Sequence, residues 1–237
     1  MAEILEWPRD LLVPRACKPN VVPFTRSGGR TLGGVKPSVR TDLGFWKIEL
    51  ADIVISTRQQ QRAFEAIKGL MSGSAGQIAV PVYAPKRAPY EDGVYAETVV
   101  LSHDDDSLFD DGAGYSQGQI SAVSVGSTPL GATVIRIRMI KGDSDLVGTL
   151  FSYNHALYTV HQLVEVDGDV HTVRISPTVR ELIPSGSDLE FDEPTCLCNL
   201  SDDSVMDDGE NFQGYQMVSV SFVEDTDSWS RQALGLT

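Results

Sequence analysis

Long apolar runs are missing from this chain. No stretch of 18 consecutive apolar residues occurs, which excludes a hydrophobic membrane-spanning helix. Cysteine is scarce: Cys17, Cys196 and Cys198 are the three in 237 residues. An odd number, with two of them one residue apart, makes no disulfide framework. Cys-x-Cys offers two soft ligands, but tetrahedral zinc takes four. Cys17, His103, His155, His161 and His171 stand at no ligand spacing, so no metal and no other cofactor is expected. The acidic start, Met1–Pro8, has no basic stretch leading into an apolar one. It reads as no secretory signal, and the expected site of synthesis is a reducing cytosol.

Base is also short, and unevenly so. Residues 1–101 hold 13 Lys/Arg against 10 Asp/Glu, whereas residues 102–237 hold six against 23. The total of −14 argues against nucleic acid as a partner, since phosphate binding needs clustered Lys and Arg. The asymmetry fits oriented packing, with the basic half toward other subunits; equally, the acidic loops serve solubility. Catalytic signatures are lacking as well. There is no Gly-x-Ser-x-Gly and no His-Glu-x-x-His. The adjacent acids Asp202/Asp203 and Asp207/Asp208 point apart in a strand or turn and need partners from elsewhere. The chain is not expected to be an enzyme.

What is present is mostly β-type alternation. Pro8, Pro14, Pro19 and Pro23 forbid a helix in residues 1–24 and interrupt any ladder. That segment reads as an extended arm with apolar pegs, among them Trp7, Leu11, Leu12 and Phe24. Residues 26–34 carry four glycines flanked by Arg26 and Arg30. They match no phosphate-loop pattern and read as an ordering loop at a subunit contact. Phe45–Leu50 alternates, placing Trp46, Ile48 and Leu50 on one face. Residues 57–71 give the one helical signal: Ala63, Phe64, Ile67, Leu70 and Met71 form a stripe, with Arg58 and Arg62 off it. Ser56 with Gln59 is the expected capping pair and Gly73 the expected C-terminal cap. Ile78–Val82 reads as a strand near an edge because of Pro81.

After a loop, Val94–Leu101 is another strand, and His103–Gln119 an Asp/Gly-rich loop that fails the EF-hand spacing. From Ile120 to Phe191 every signal is β. Ile120–Val125, Thr133–Ile140, Gly148–Tyr153, Ala156–Val160, Leu163–Val166, His171–Ile175 and Leu189–Phe191 are short strands, with a hairpin at Asp167-Gly168. So many short strands without a helix predict a small closed barrel, OB-like or SH3-like. If it binds a ligand, Tyr153, His155 and Tyr158 are the expected face; otherwise these side chains fill the barrel. Cys196–Leu200 and Met217–Val223 return as strands, and 225–237 is a polar tail whose Trp229 packs locally or against a neighbour. The fold class is therefore mainly β (α+β). Residues 1–101 and 194–237 form a split β-sandwich domain with helix 57–71, and 102–193 an inserted OB-like β-barrel.

The order of these pieces resembles the distal tail, or minor tail, protein family of long-tailed bacteriophages. The resemblance is carried by Trp7-Pro8-Arg9-Asp10-Leu11, by Ser27–Gly34, and by the aromatic strand Gly44–Leu50. It continues through the helix around Phe64 and through Gly112–Tyr115, Gly148–Ser152 and Tyr158–Val160, and ends at Val220–Glu224. It implies a structural virion protein, assembled in the host cytoplasm and carried at the tail tip. The family's members form a homo-hexameric ring joining the tail tube protein to the tail hub and tip proteins. Arg26, Arg30, Trp7, Leu11, Arg58 and Arg62 are the expected assembly residues. A receptor- or carbohydrate-binding tail module acting through the barrel is the alternative.

Overall fold

The computed structural model describes residues 4–27, 33–34, 38–93, 99–101, 115–117, 119–207 and 214–235. The glycine-rich turn with Arg30, most of the Val94–Leu101 expectation, nearly all of the Asp/Gly-rich loop at 103–119, and Asp208–Glu210 lie outside the described residues. The chain is mainly β. Its strands are β1 (Leu5–Glu6), β2 (Ala16–Ser27), β3 (Ser38–Ile55), β4 (Ile78–Pro81), β5 (Val99–Leu101), β6 (Tyr115–Gln117), β7 (Ser121–Ser124), β8 (Val134–Lys141), β9 (Leu150–Tyr153), β10 (Ala156–Asp167), β11 (Val170–Ser176), β12 (Thr195–Leu200) and β13 (Gln216–Glu224). Helix α1 (Arg58–Met71) follows β3, and α2 (Thr226–Ala233) follows β13.

Both ends of the chain contribute to one six-stranded sheet, in the order β1-β4-β12-β13-β3-β2. Trp46, Ile48, Leu50 and Ile53 of β3 are at most 1% exposed and form its core with Val80, Cys196, Cys198, Val220 and Phe222. Helix α1 adds Phe64, Ile67 and Met71 to the same core. Its start lies one residue beyond the expected position. Thr57, not Ser56, is the N-cap, and Gln60 closes the capping box by accepting from the Thr57 N–H at 3.1 Å. At its end Ser72, φ 49°, and the expected Gly73, φ 81°, both hold the left-handed conformation.

The proline-rich arm does not stay outside the ladder. Ala16–Ser27 pairs antiparallel with β3 from Ala16↔Ala51 to Ser27↔Ser38, prolines included. Its other side has no partner among the described residues, and an edge strand accepts proline where the missing N–H faces away from the ladder. Pro19 and Pro23 are four residues apart and so share that orientation. Strand β4 is buried at all four positions and lies next to the sheet edge as expected, with β1 pairing only to Ile78 and Ala79 on its outer side.

A close approach fixes one glycine. A Cβ on Gly76 would sit 2.3 Å from the Met71 carbonyl oxygen and 2.5 Å from Met71 Cα, both backbone atoms that no rotamer change can move. Gly76→Ala is expected to cost about 1–3 kcal/mol. Gly69→Ala on α1, where nothing lies within 4 Å, is expected to stabilise by roughly 0.5–1 kcal/mol. Urea unfolding midpoints should move in opposite directions.

The segment between forms a five-stranded sheet, β7-β8-β11-β10-β9. It curls until both edges meet one segment, residues 183–191. On one side Leu189 N–H donates to the Ala122 carbonyl at 2.9 Å; on the other, Ser152 and Glu190 exchange backbone bonds of 2.8 and 2.9 Å. Ile135, Ile137, Phe151, Tyr158, Val173, Ile175 and Phe191 fill the interior. The two strands expected at Ala156–Val160 and Leu163–Val166 are one, β10. Register shifts at Val160/Gln162 and Leu163/Glu165 break the alternation that a single strand would show. The β10–β11 turn is Gly168-Asp169, one residue later than expected. Gly168, φ 61°, stands at the first central position, where a type II′ turn calls for glycine.

Candidate functional site

The two sheets meet along a seam built from a few long side chains. Trp46 on β3 donates its indole N–H to the Leu157 carbonyl of β10 at 2.7 Å. Arg180 follows the curled sheet and reaches back: its Nε is 2.7 Å from Glu224 Oε1 and its Nη2 3.0 Å from Oε2, a bidentate pair. Arg180 Nη2 also donates to the Gly44 carbonyl, and Glu224 Oε2 accepts from the Trp46 N–H at 2.9 Å. The side chains of Arg180 and Glu224 are 11% and 1% exposed. Farther along, Arg87 Nε donates to the Gly148 carbonyl at 2.8 Å and its Nη2 to Thr159 Oγ1 at 3.0 Å. Neither Arg180 nor Glu224 stands out in the sequence, because a lone arginine and a lone glutamate 44 residues apart carry no spacing signal.

Against this geometry the expected ligand face divides. Tyr158 is fully buried, its ring 5.3 Å from Phe151, and its hydroxyl accepts from the Arg180 N–H at 2.9 Å. Burial pushes its phenol up. Tyr158 is core and is unavailable to a ligand. Tyr153 and His155 do line a cavity of about 650 Å³ at the seam, with Asp188, Glu190, Glu193 and Thr195. They arrive there through a two-residue β9–β10 turn, Asn154-His155, in which both residues hold positive φ, 46° and 65°. Asn and His are both among the non-glycine residues enriched in that conformation. A hydrogen bond of 2.8 Å joins His155 Nδ1 to Thr195 Oγ1 on β12, and the His155 carbonyl accepts from the Leu197 N–H at 2.8 Å.

Burial holds the His155 imidazole below its usual value, with the Glu6 carboxylate opposing. The sign follows: the unfolded chain binds the proton more readily than the folded one. This contribution to stability is intact above the unfolded value of about 6.5 and is lost as pH falls below it toward the folded value. The thermal midpoint of the wild type should fall more between pH 7.5 and pH 5 than that of His155→Gln, which lacks the titrating group.

No family model and no curated protein matches this chain.

The expected assembly residues also part company. Trp7 is 3% exposed. Its Nε1 donates to the Leu12 carbonyl at 3.0 Å, and its ring meets Phe222 edge-on at 5.6 Å. It is a core residue, not a peg for a neighbour. Leu11 is half-buried, and its carbonyl accepts from Gln60 Nε2 at 3.0 Å, pinning the arm to α1. Arg58 and Arg62 are exposed on the solvent side of α1. Arg26 lies in β2 opposite Val39.

The remaining polar candidates are spent locally. Asp202 accepts from the Ser204 hydroxyl and N–H, and Asp203 from the Ser74 hydroxyl and N–H; these bonds hold both carboxyls low. Asp207 pairs with Lys68 at 2.8 Å. Cys196 and Cys198 are fully buried and free, and burial pushes the Cys196 thiol well up. Among the described residues no three His, Cys, Asp or Glu side chains converge on a metal position, and no helix is long and apolar enough to cross a membrane.

The tail holds a second helix that its polar composition hides. Asp225 caps it by accepting from the Ser228 N–H at 3.1 Å, and Arg231 pairs with Asp227 one turn away. The helix turns Trp229, 7% exposed, into the curled sheet's core.

Proposed function

We propose that this chain is a structural virion protein, the distal tail subunit of a long-tailed phage. In this reading a homo-hexameric ring joins the tail tube to the tail hub and tip. The observation that carries it is topological: strands from both ends of the chain share one sheet, and the segment between them makes the second. Residues 1–101 and 194–237 then form a split β-sandwich domain that builds the ring, with 102–193 an inserted OB-like barrel facing outward. The exposed cations Arg58 and Arg62 of α1 face the neighbouring subunit, and Arg26 and Arg30 belong to the same proposed interface. The role is architectural rather than catalytic, it needs no cofactor, and the protein resides at the virion tail tip after assembly in the host cytoplasm.

Electron microscopy of the purified full chain tests this reading. A sixfold ring is the expected image. A strict monomer at high concentration sinks the proposal, and an intact ring after charge reversal at Arg26 and Arg30 removes those two from the interface. A second reading has one observation in its favour, the cavity of about 650 Å³ beside Tyr153 and His155. It assigns that cavity to receptor or carbohydrate binding, and glycan-array binding by the full chain that is lost in Tyr153→Ala is its test.

A further inference from the structure

Residues 102–237 carry six basic side chains, and three of them stand together. Arg136 and Arg138 alternate with the buried Ile135 and Ile137 along β8, so both leave the core side of the curled sheet. Arg174, between the buried Val173 and Ile175 of β11, leaves it on the same side. Arg136 is opposite Thr172, and Arg174 is opposite Val134. Arg136 and Arg174 are therefore diagonal neighbours, about 7 Å apart at the backbone, and Arg138 lies roughly 7 Å further along β8. All three are exposed. Arg138 bonds Asp169 at 2.8 Å; Arg136 and Arg174 have no ion pair among the described residues. Val134 and Ile140, 37% and 63% exposed, add apolar surface beside them.

We propose that this outer face docks an acidic segment of a partner polypeptide. Guanidinium groups take carboxylates in a two-bond fork, and arginine is enriched at protein interfaces. Strand addition is closed to the partner here, because both edges of the curled sheet are already bonded to residues 183–191. The segment must lie across the face and be read by side chains. The net charge of −14 opposes approach of a nucleic acid more than that of a short acidic segment, which carries less charge and reaches Arg136 and Arg174 beside Glu165, the residue opposite Thr172. This docking does not depend on ring formation.

The test uses the full chain at low salt and a fluorescent ten-residue Asp/Glu peptide, read by anisotropy. Arg136→Glu with Arg174→Glu is expected to weaken binding about tenfold, the scale that two exposed charge contacts supply. Arg15→Glu, an exposed cation elsewhere, is expected to leave it within about twofold, and all three proteins should melt alike. Three results overturn the proposal: equal peptide affinity in the doubly reversed variant, tighter binding of a DNA duplex than of the peptide, or self-association of the wild type that the reversal abolishes.

Discussion

Glu224→Ala is expected to cost the fold about 3–5 kcal/mol, the range for removing one partner of a buried ion pair. The Arg180 side chain, 11% exposed, would keep its charge with no carboxylate to receive it. The Trp46 N–H, which donates to Glu224 at 2.9 Å, would lose its acceptor too, and an orphaned buried donor is itself worth about 1–3 kcal/mol. Arg180 would keep only the Gly44 carbonyl. The measurement is urea unfolding of wild type, Glu224→Ala, and the double variant Arg180→Met with Glu224→Leu. The double variant should recover most of the loss, since an apolar pair leaves no unpaired charge behind. A single variant as unstable as predicted, with a double variant no better, would assign the loss to the Trp46 N–H instead.

That ion pair also marks the limit of what could be read from the chain. The inner faces of β3 and β8 were legible because alternation is local: Trp46, Ile48 and Leu50 on one strand, Ile135 and Ile137 on the other, are buried as their spacing requires. Helix α1 was legible for the same reason, its cap mistaken by one residue because Ser56-Thr57 offers two capping hydroxyls in a row. Features set by tertiary contact were not. The proline arm became a strand because β3 was there to pair with it. Helix α2 has eight residues and one buried side chain, too few for a periodic signal. For Tyr158 the sequence admits both ligand face and core, and only the position of Phe151 and of the Arg180 N–H decides for the core. Of the expected ligand face, Tyr153 and His155 survive at a cavity. The turn that puts them there, Asn154-His155, falls between the two expected strands and uses residue types that accept a positive φ, but its approach to Thr195 on β12 is set by tertiary contact.

Trp46→Ala is the second large effect, and it distinguishes two accounts of how the sheets hold together. The side chain is 1% exposed, so its removal leaves a cavity expected to cost about 3–5 kcal/mol. It also strips the Leu157 carbonyl of the indole donor at 2.7 Å. Trp46→Phe separates the terms: it refills most of the volume and loses the bond, and about 1–3 kcal/mol should remain lost. Trp46 touches β10 through its side chain and Glu224 through its backbone N–H, which Trp46→Ala keeps. Hydrogen exchange gives the decisive readout. If the seam makes one cooperative unit, amides of β10 in the curled sheet and of β13 in the six-stranded sheet should lose protection together in Trp46→Ala. Loss confined to β13 and β3 would mean that the curled sheet stands without the seam, and that Trp46 serves only the core of its own sheet.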